Sequence, residues 1–137
     1  MNGPKTVLIL CTGNSCRSQM AEVILRYDLN GAVRVLSAGT NRQPKVAEGA
    51  IHALQEAGLP TEGLYPKDVG AVMHEAIDLV VTVCDNAKET CPIFPRPVPR
   101  LHIGFHDPHG EPLESFLRVR DDIRARLVPD VRQALSV

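Results

Sequence analysis

Apolar positions along the chain follow two rhythms. Val7 to Leu10 and Leu79 to Val81 are unbroken apolar runs rich in β-branched residues, the pattern of strands covered on both faces. Elsewhere the apolar positions recur every three or four residues. Met20, Ala21, Ile24 and Leu25 form one such face, Ala47, Ile51 and Leu54 a second, and Phe116, Val119, Ile123 and Leu127 a third. These rhythms predict strands over Lys5–Leu10, Val33–Ser37, Leu79–Val83 and Arg100–Gly104. They predict helices over Ser18–Leu29, Val46–Ala57 and Leu113–Ala134, and a short one over Asp68–Glu75. Asn30-Gly31 and Gly58 supply helix stops, and Pro129 is expected to kink or divide the last helix. The proline-rich stretch Pro92–Pro99 has apolar residues interleaved and reads as an ordered connection.

Strand–helix alternation with continuous apolar strands indicates an α/β fold with a parallel sheet and right-handed crossovers. Ligands of such sheets sit at the carboxyl ends of the strands. Cys11 ends the first strand, Cys84 follows the third and Asp107 lies beyond the fourth, so three reactive groups share one rim.

Composition narrows the class. The 137 residues suit one domain spanning residues 1–137, with 44% hydrophobic residues and no Trp, so the core is aliphatic. Fifteen basic residues against sixteen acidic ones give a net charge of −1, without the excess of positive charge that nucleic acid or a membrane surface attracts. The apolar run at Val7–Leu10 is too short for a signal peptide or a membrane span, and the expected location is cytoplasmic. In that compartment four cysteines point to metal binding or catalysis rather than to standing disulfides. Four buried apolar thiols are the structural alternative.

The densest chemistry lies in LCTGNSCRSQMAE, Leu10 to Glu22. A loop that curls from a strand into a helix can converge its N–H groups on one point, and the helix N-terminus adds positive potential. Gly13 permits the curl, and Asn14 tolerates a left-handed backbone. Arg17 can fork over two oxygens at once. Thr12, Gly13, Asn14, Ser15, Cys16 and Arg17 are thus an expected cradle for a tetrahedral oxyanion, with Cys11 as nucleophile at its base and Ser18 as hydroxyl donor to the thiolate. The cradle's positive field is expected to ease the loss of the Cys11 proton. His102, His106 and His109 have the spacing H-x3-H-x2-H, which fits no regular face, and they read as ordinary exposed histidines.

The motif CTGNSCRSQMAE closely resembles the phosphate-binding loop of the low-molecular-weight protein tyrosine phosphatases. It resembles even more the thioredoxin-coupled arsenate reductases built on the same fold. Ser37-Ala38-Gly39, DLVVTVCDNAKETCPIFP from Asp78, HDPHG from His106 and FLRVRDDI from Phe116 extend the likeness over nearly the whole chain. It implies a flavodoxin-like three-layer sandwich whose four parallel strands run in the order 2-1-3-4. It also carries the general acid, needed by a departing oxygen, onto Asp107.

Within the resemblance, Cys84 and Cys91 favour the reductase, because a phosphatase has no use for them. The implied chemistry is a relay. Arsenate bonds to Cys11, Cys84 attacks Cys11 and expels arsenite, and Cys91 then attacks Cys84 to leave a Cys84–Cys91 disulfide for thioredoxin. Phosphate or sulfate are the substrate analogues. The segment after Cys84 reads as a short helix capped by Asp85-Asn86. Seven helical residues rise about 10 Å and a disulfide spans at most about 7 Å, so this segment is expected to unwind on oxidation. Cys16 is outside the relay and reads as structural filler, with a protective bond to Cys11 as the alternative. Some arsenate reductases of the family bind potassium beside the cradle. The matching positions are Asn14, Glu22, Ser37 and Asp68, but Pro66-Lys67 departs from the family's Thr-Ser, and the Lys67 ammonium is the alternative occupant. No other cofactor is expected. A tyrosine phosphatase is the second reading of the chain, and a thiol module binding zinc or a metalloid the third.

Overall fold

A computed structural model describes residues 3–84 and 94–137. Strand β1 (Lys5–Cys11) is central, flanked by β2 (Val33–Gly39) on one side and β3 (Leu79–Thr82) on the other, with β4 (Arg100–His102) at the edge. All pairings are parallel and the order is β2-β1-β3-β4, the flavodoxin-like α/β architecture expected. The register sets Cys11 opposite Gly39, Leu10 opposite Thr82, and Thr82 opposite His102. The reactive ends of the strands are therefore level along one rim.

Helix α1 (Arg17–Leu29) follows β1, α2 (Glu48–Glu56) follows β2, and α3 (Leu113–Leu135) closes the chain; all three pack on one another. The core is aliphatic, with Leu8, Ile9, Leu10, Met20, Ile24, Leu54, Ile123 and Leu127 fully enclosed. Charged forks lock the helices together. Arg124 grips the Asp28 carboxylate through two hydrogen bonds of 2.8 and 2.6 Å, and Arg120 donates to the Ala53 carbonyl at 2.8 Å.

Several boundaries differ from the sequence rhythm, each for a physical reason. Helix α1 is buried all round from Ser18 to Leu25, not on one face, so Gln19 and Glu22 are polar groups inside the protein. Helix α2 starts two residues later than expected because Ala47 is extended (φ −62°, ψ 134°) and gives its N–H to the Ser15 carbonyl at 2.9 Å. Ile51 is only half-buried. The helix expected over Asp68–Glu75 shrinks to one 3-10 turn, Val69–Ala71, where Gly70 and the flanking valines are weak helix formers. Strand β4 stops at His102. Pro129 does not divide α3, which runs unbroken through it; the stripe Ile123, Leu127, Val131 and Leu135 stays buried across it. The short helix expected after Cys84 lies outside the described residues.

Candidate active site

The loop between β1 and α1 builds the site by turning its carbonyls away from it. The carbonyls of Cys11, Thr12, Gly13 and Ser15 accept hydrogen bonds from the N–H groups of Thr40, Asn41, Gln43 and Ala47, at 3.2, 2.9, 2.8 and 2.9 Å. The Asn14 carbonyl accepts from Gln19 Nε2 at 2.9 Å and the Cys16 carbonyl from Met20 N at 3.0 Å. In a trans peptide the N–H points opposite to the C=O. With six successive carbonyls facing out, the N–H groups of Thr12 to Arg17 face in. The Ser15 hydroxyl adds a further stitch, donating to the Lys45 carbonyl at 3.0 Å.

Asn14 pins the curl. It is fully buried and left-handed (φ 50°), a conformation that Asn tolerates better than most residues. Its amide nitrogen donates to Ser18 Oγ at 2.8 Å and Ser37 Oγ at 2.9 Å, and its oxygen accepts from Lys67 N–H at 2.8 Å. Gly39 is equally constrained. A Cβ there would lie 2.5 Å from the Thr12 carbonyl oxygen, so only glycine lets β2 run this close beneath the loop.

Arg17 opens α1 and reaches over the cradle. One guanidinium nitrogen donates to the Phe105 carbonyl at 3.0 Å, and the other lies 3.6 Å from the Asp107 carboxylate. Asp107 is half-exposed, and its second oxygen accepts from the His109 N–H at 3.1 Å, which holds the carboxylate at the mouth. The cradle floors a cleft of about 490 Å³ walled by Gln43, Pro44, Asp107, His109 and Phe116. A separate cavity of about 580 Å³, lined by Val23, Tyr27, Pro60 and Leu64 among others, has no cysteine in its wall.

Cys11 and Cys84 are both buried, and Cys84 reaches the cradle: its Sγ sits 3.3 Å from the Oγ1 of Thr12, the residue next to Cys11. Sequence reasoning expects the cradle to ease ionisation of Cys11. The structure shows the opposing forces as well. The Cys84 thiol and burial push the Cys11 thiol up, while the Arg17 guanidinium and the Thr12 backbone pull it down. Two neighbouring thiols cannot both ionise readily, so they part with a first proton more easily than a second. Cys16 is held as a neutral thiol: burial and nearby Asp107 push it up to about 12.

The structure brings together Cys11, Thr12 to Arg17, Ser18, Cys84 and Asp107, while Cys91 lies outside the described residues. The three histidines diverge. His102 bonds Thr82 at 2.8 Å, His106 bonds Glu111 at 2.7 Å, and His109 lines the cleft. Among the described residues no group of three or more His, Cys, Asp or Glu side chains could hold a metal, and no helix is long and apolar enough to cross a membrane. Of the positions expected around potassium, Asn14, Ser37 and Glu22 do meet. Asp68 does not join them, because its carboxylate turns outward to Arg42 at 3.2 Å. Sequence reasoning missed Gln19 and the belt Thr40–Ala47. The belt acts through backbone groups and leaves no side-chain signature; Gln19 was legible only as a polar residue inside an apolar helix.

Comparison with known proteins agrees with this geometry. Residues 6–131 match the family described as low molecular weight phosphotyrosine protein phosphatase. An arsenate reductase of Brevibacillus brevis is 41% identical over 127 residues, covering 93% of this chain and 94% of the relative. The crystal structure of an arsenate reductase from Archaeoglobus fulgidus is 30% identical with a TM-score of 0.77, over 91% of this chain and 98% of that one. The structure of an arsenate reductase in its phosphate-binding state is 27% identical with a TM-score of 0.79, over 96% and 98% of the two chains.

Proposed function

Because the chain belongs to the low molecular weight phosphotyrosine protein phosphatase family, among relatives that are arsenate reductases, we propose that it reduces arsenate to arsenite by a three-cysteine relay. The observation that carries this reading is a second buried thiol at the cradle, Cys84, whose Sγ lies 3.3 Å from the Oγ1 of Thr12, the residue next to Cys11. A phosphatase needs one thiol there; a two-electron reduction needs a second within reach of the first.

The steps follow from the groups present. Inward N–H groups and the Arg17 fork hold the arsenate oxygens and gather their charge. The Cys11 sulfur bonds to arsenic(V), and one arsenic oxygen leaves as water, with Asp107 as the proton donor. Cys84 then attacks the Cys11 sulfur. The S–As bond breaks, its electron pair stays on arsenic, and arsenite departs while the two thiols become the Cys11–Cys84 disulfide. Cys91 attacks Cys84, frees Cys11, and leaves a Cys84–Cys91 disulfide. Two electrons from an external dithiol, thioredoxin in this reading, restore the enzyme. Such a dithiol operates in a reducing, cytoplasmic setting.

A second reading has its own support. The cleft is far wider than a tetrahedral oxyanion, and Pro44 and Phe116 give it apolar walls, so an aryl phosphate fits and slow phosphatase action by Cys11, Arg17 and Asp107 is expected beside the reductase. One paired assay separates the two: arsenate-dependent NADPH oxidation with thioredoxin and thioredoxin reductase, and para-nitrophenyl phosphate hydrolysis. Cys84→Ser should keep hydrolysis and lose arsenate turnover. Brisk hydrolysis by the wild type with no arsenate-dependent NADPH oxidation would leave the phosphatase reading standing instead.

A further inference from the structure

Glu22 is buried in α1, and a buried carboxylate requires cations and donors around it. Potassium would need the oxygens of Asn14, Glu22, Ser37 and Asp68 to converge with lone pairs to spare. They do not. The Asn14 side-chain oxygen already accepts from Lys67 N–H at 2.8 Å and from Gln19 Nε2 at 3.1 Å, and Asp68 is turned to Arg42. The Glu22 carboxylate is bound by Arg26 at 2.6 Å and faces the Lys67 ammonium at 3.7 Å. One negative charge thus has two cations of the chain beside it, and a third would be repelled. The residues do not fit the ion.

We propose that Lys67 is the built-in counter-ion of the oxyanion cradle, a positioning residue whose ammonium stands against Glu22 in place of an inorganic cation and thereby fixes Ser37, Asn14 and Ser18. The hydrogen-bond directions follow from the chemistry of each group. An ionised carboxylate only accepts, so Ser37 spends its one proton on Glu22. Toward Asn14 the Ser37 oxygen can then only accept, which turns the Asn14 amide nitrogen to Ser37 and its oxygen to Lys67 N–H and Gln19. The second amide hydrogen goes to Ser18 Oγ, which leaves the Ser18 proton for another acceptor, as donation to the Cys11 thiolate would require. The Lys67 side chain is itself held in place, since its ammonium also bonds the Tyr65 carbonyl at 3.0 Å and lies over the Tyr65 ring at 4.8 Å. Its backbone N–H to Asn14 and its carbonyl to Gly39 N are independent of the side chain, so Lys67→Met isolates the ammonium.

The inference rests on the cradle part of the proposed function and not on arsenate turnover. The test is sulfate binding by calorimetry, with melting temperature alongside, in potassium chloride and in tetramethylammonium chloride at equal ionic strength. The wild type should bind sulfate equally in both salts. Lys67→Met should bind sulfate about tenfold more weakly in both salts, because the Asn14 oxygen and Asp68 stay engaged and potassium cannot take the place of the ammonium. Lys67→Arg should stay close to wild type. The inference is overturned if potassium specifically strengthens wild-type sulfate binding or melting, or if Lys67→Met binds like wild type in both salts. It is equally overturned if potassium restores Lys67→Met, or if Lys67→Arg is as weak as Lys67→Met. A wild type that binds no sulfate at all would remove the cradle itself.

Discussion

Single residues in this site are constrained by what surrounds them, and the constraint differs from one to the next. Gly39 matters for space. Its missing Cβ admits the Thr12 carbonyl at a distance no side chain allows, so Gly39→Ala must push the loop outward. Overpacking of this kind costs about 1–3 kcal/mol, and sulfate affinity should fall with stability; calorimetry and denaturant titration on the same variant check both. Asp107 matters for its proton. It is held by the His109 N–H and lies only loosely against Arg17, so Asp107→Asn preserves shape while removing the acid. The expected outcome is phosphate-ester hydrolysis slowed about 100-fold or more, with sulfate affinity little changed; the opposite split would make Asp107 a structural residue. Cys11, Arg17 and Asn14 were legible in the sequence because a Cys and an Arg separated by five residues, Gly and Asn among them, fall at a strand-to-helix junction. Lys67 was legible as an alternative to potassium. The outward turn of Asp68 was not, because it depends on Arg42, which nothing in the local pattern links to it.

At the scale of elements, the sequence is most informative where burial is simple. The unbroken apolar runs marked the strands, and their parallel order followed from alternation and from family resemblance. Rhythm failed where an element serves two neighbours. Helix α1 is enclosed on all sides, so its polar residues could not be sorted into an outward face, and α2 loses its first residues to the belt that holds the cradle. Pro129 illustrates the same competition. It lies exposed within α3, while Ile123, Leu127 and Val131 on the inner stripe keep the helix continuous. Burial outweighs the local penalty, but the penalty is still present: the proline ring leaves the Ala125 carbonyl without its helical donor. Relative to alanine that costs about 3 kcal/mol in a helix interior, offset by about 1 kcal/mol from the stiffer unfolded chain. Pro129→Ala is therefore expected to stabilise the protein by about 2 kcal/mol with activity unchanged. Equal or lower stability in chemical denaturation would show that α3 is already relaxed around the ring.

For the molecule as a whole, the parallel sheet sets three strand ends level and the loops do the rest. Cys11 and the cradle come from the end of β1, Cys84 from the end of β3, and Asp107 from beyond β4; segments distant in sequence become one site because the register aligns them. The helices contribute by holding that register, through the aliphatic core and the Arg120 and Arg124 forks. What distinguishes a reductase from a phosphatase on such a frame is a second thiol beside the first, and the central claim is that electrons pass between them. Non-reducing mass spectrometry of Cys91→Ser, fully reduced and then treated with arsenate, tests this directly. The account predicts at most one arsenite released per chain and a Cys11–Cys84 disulfide in the stalled protein. Free Cys11 and Cys84 thiols after arsenate treatment, or repeated turnover of Cys91→Ser with thioredoxin as the only reductant, would contradict it.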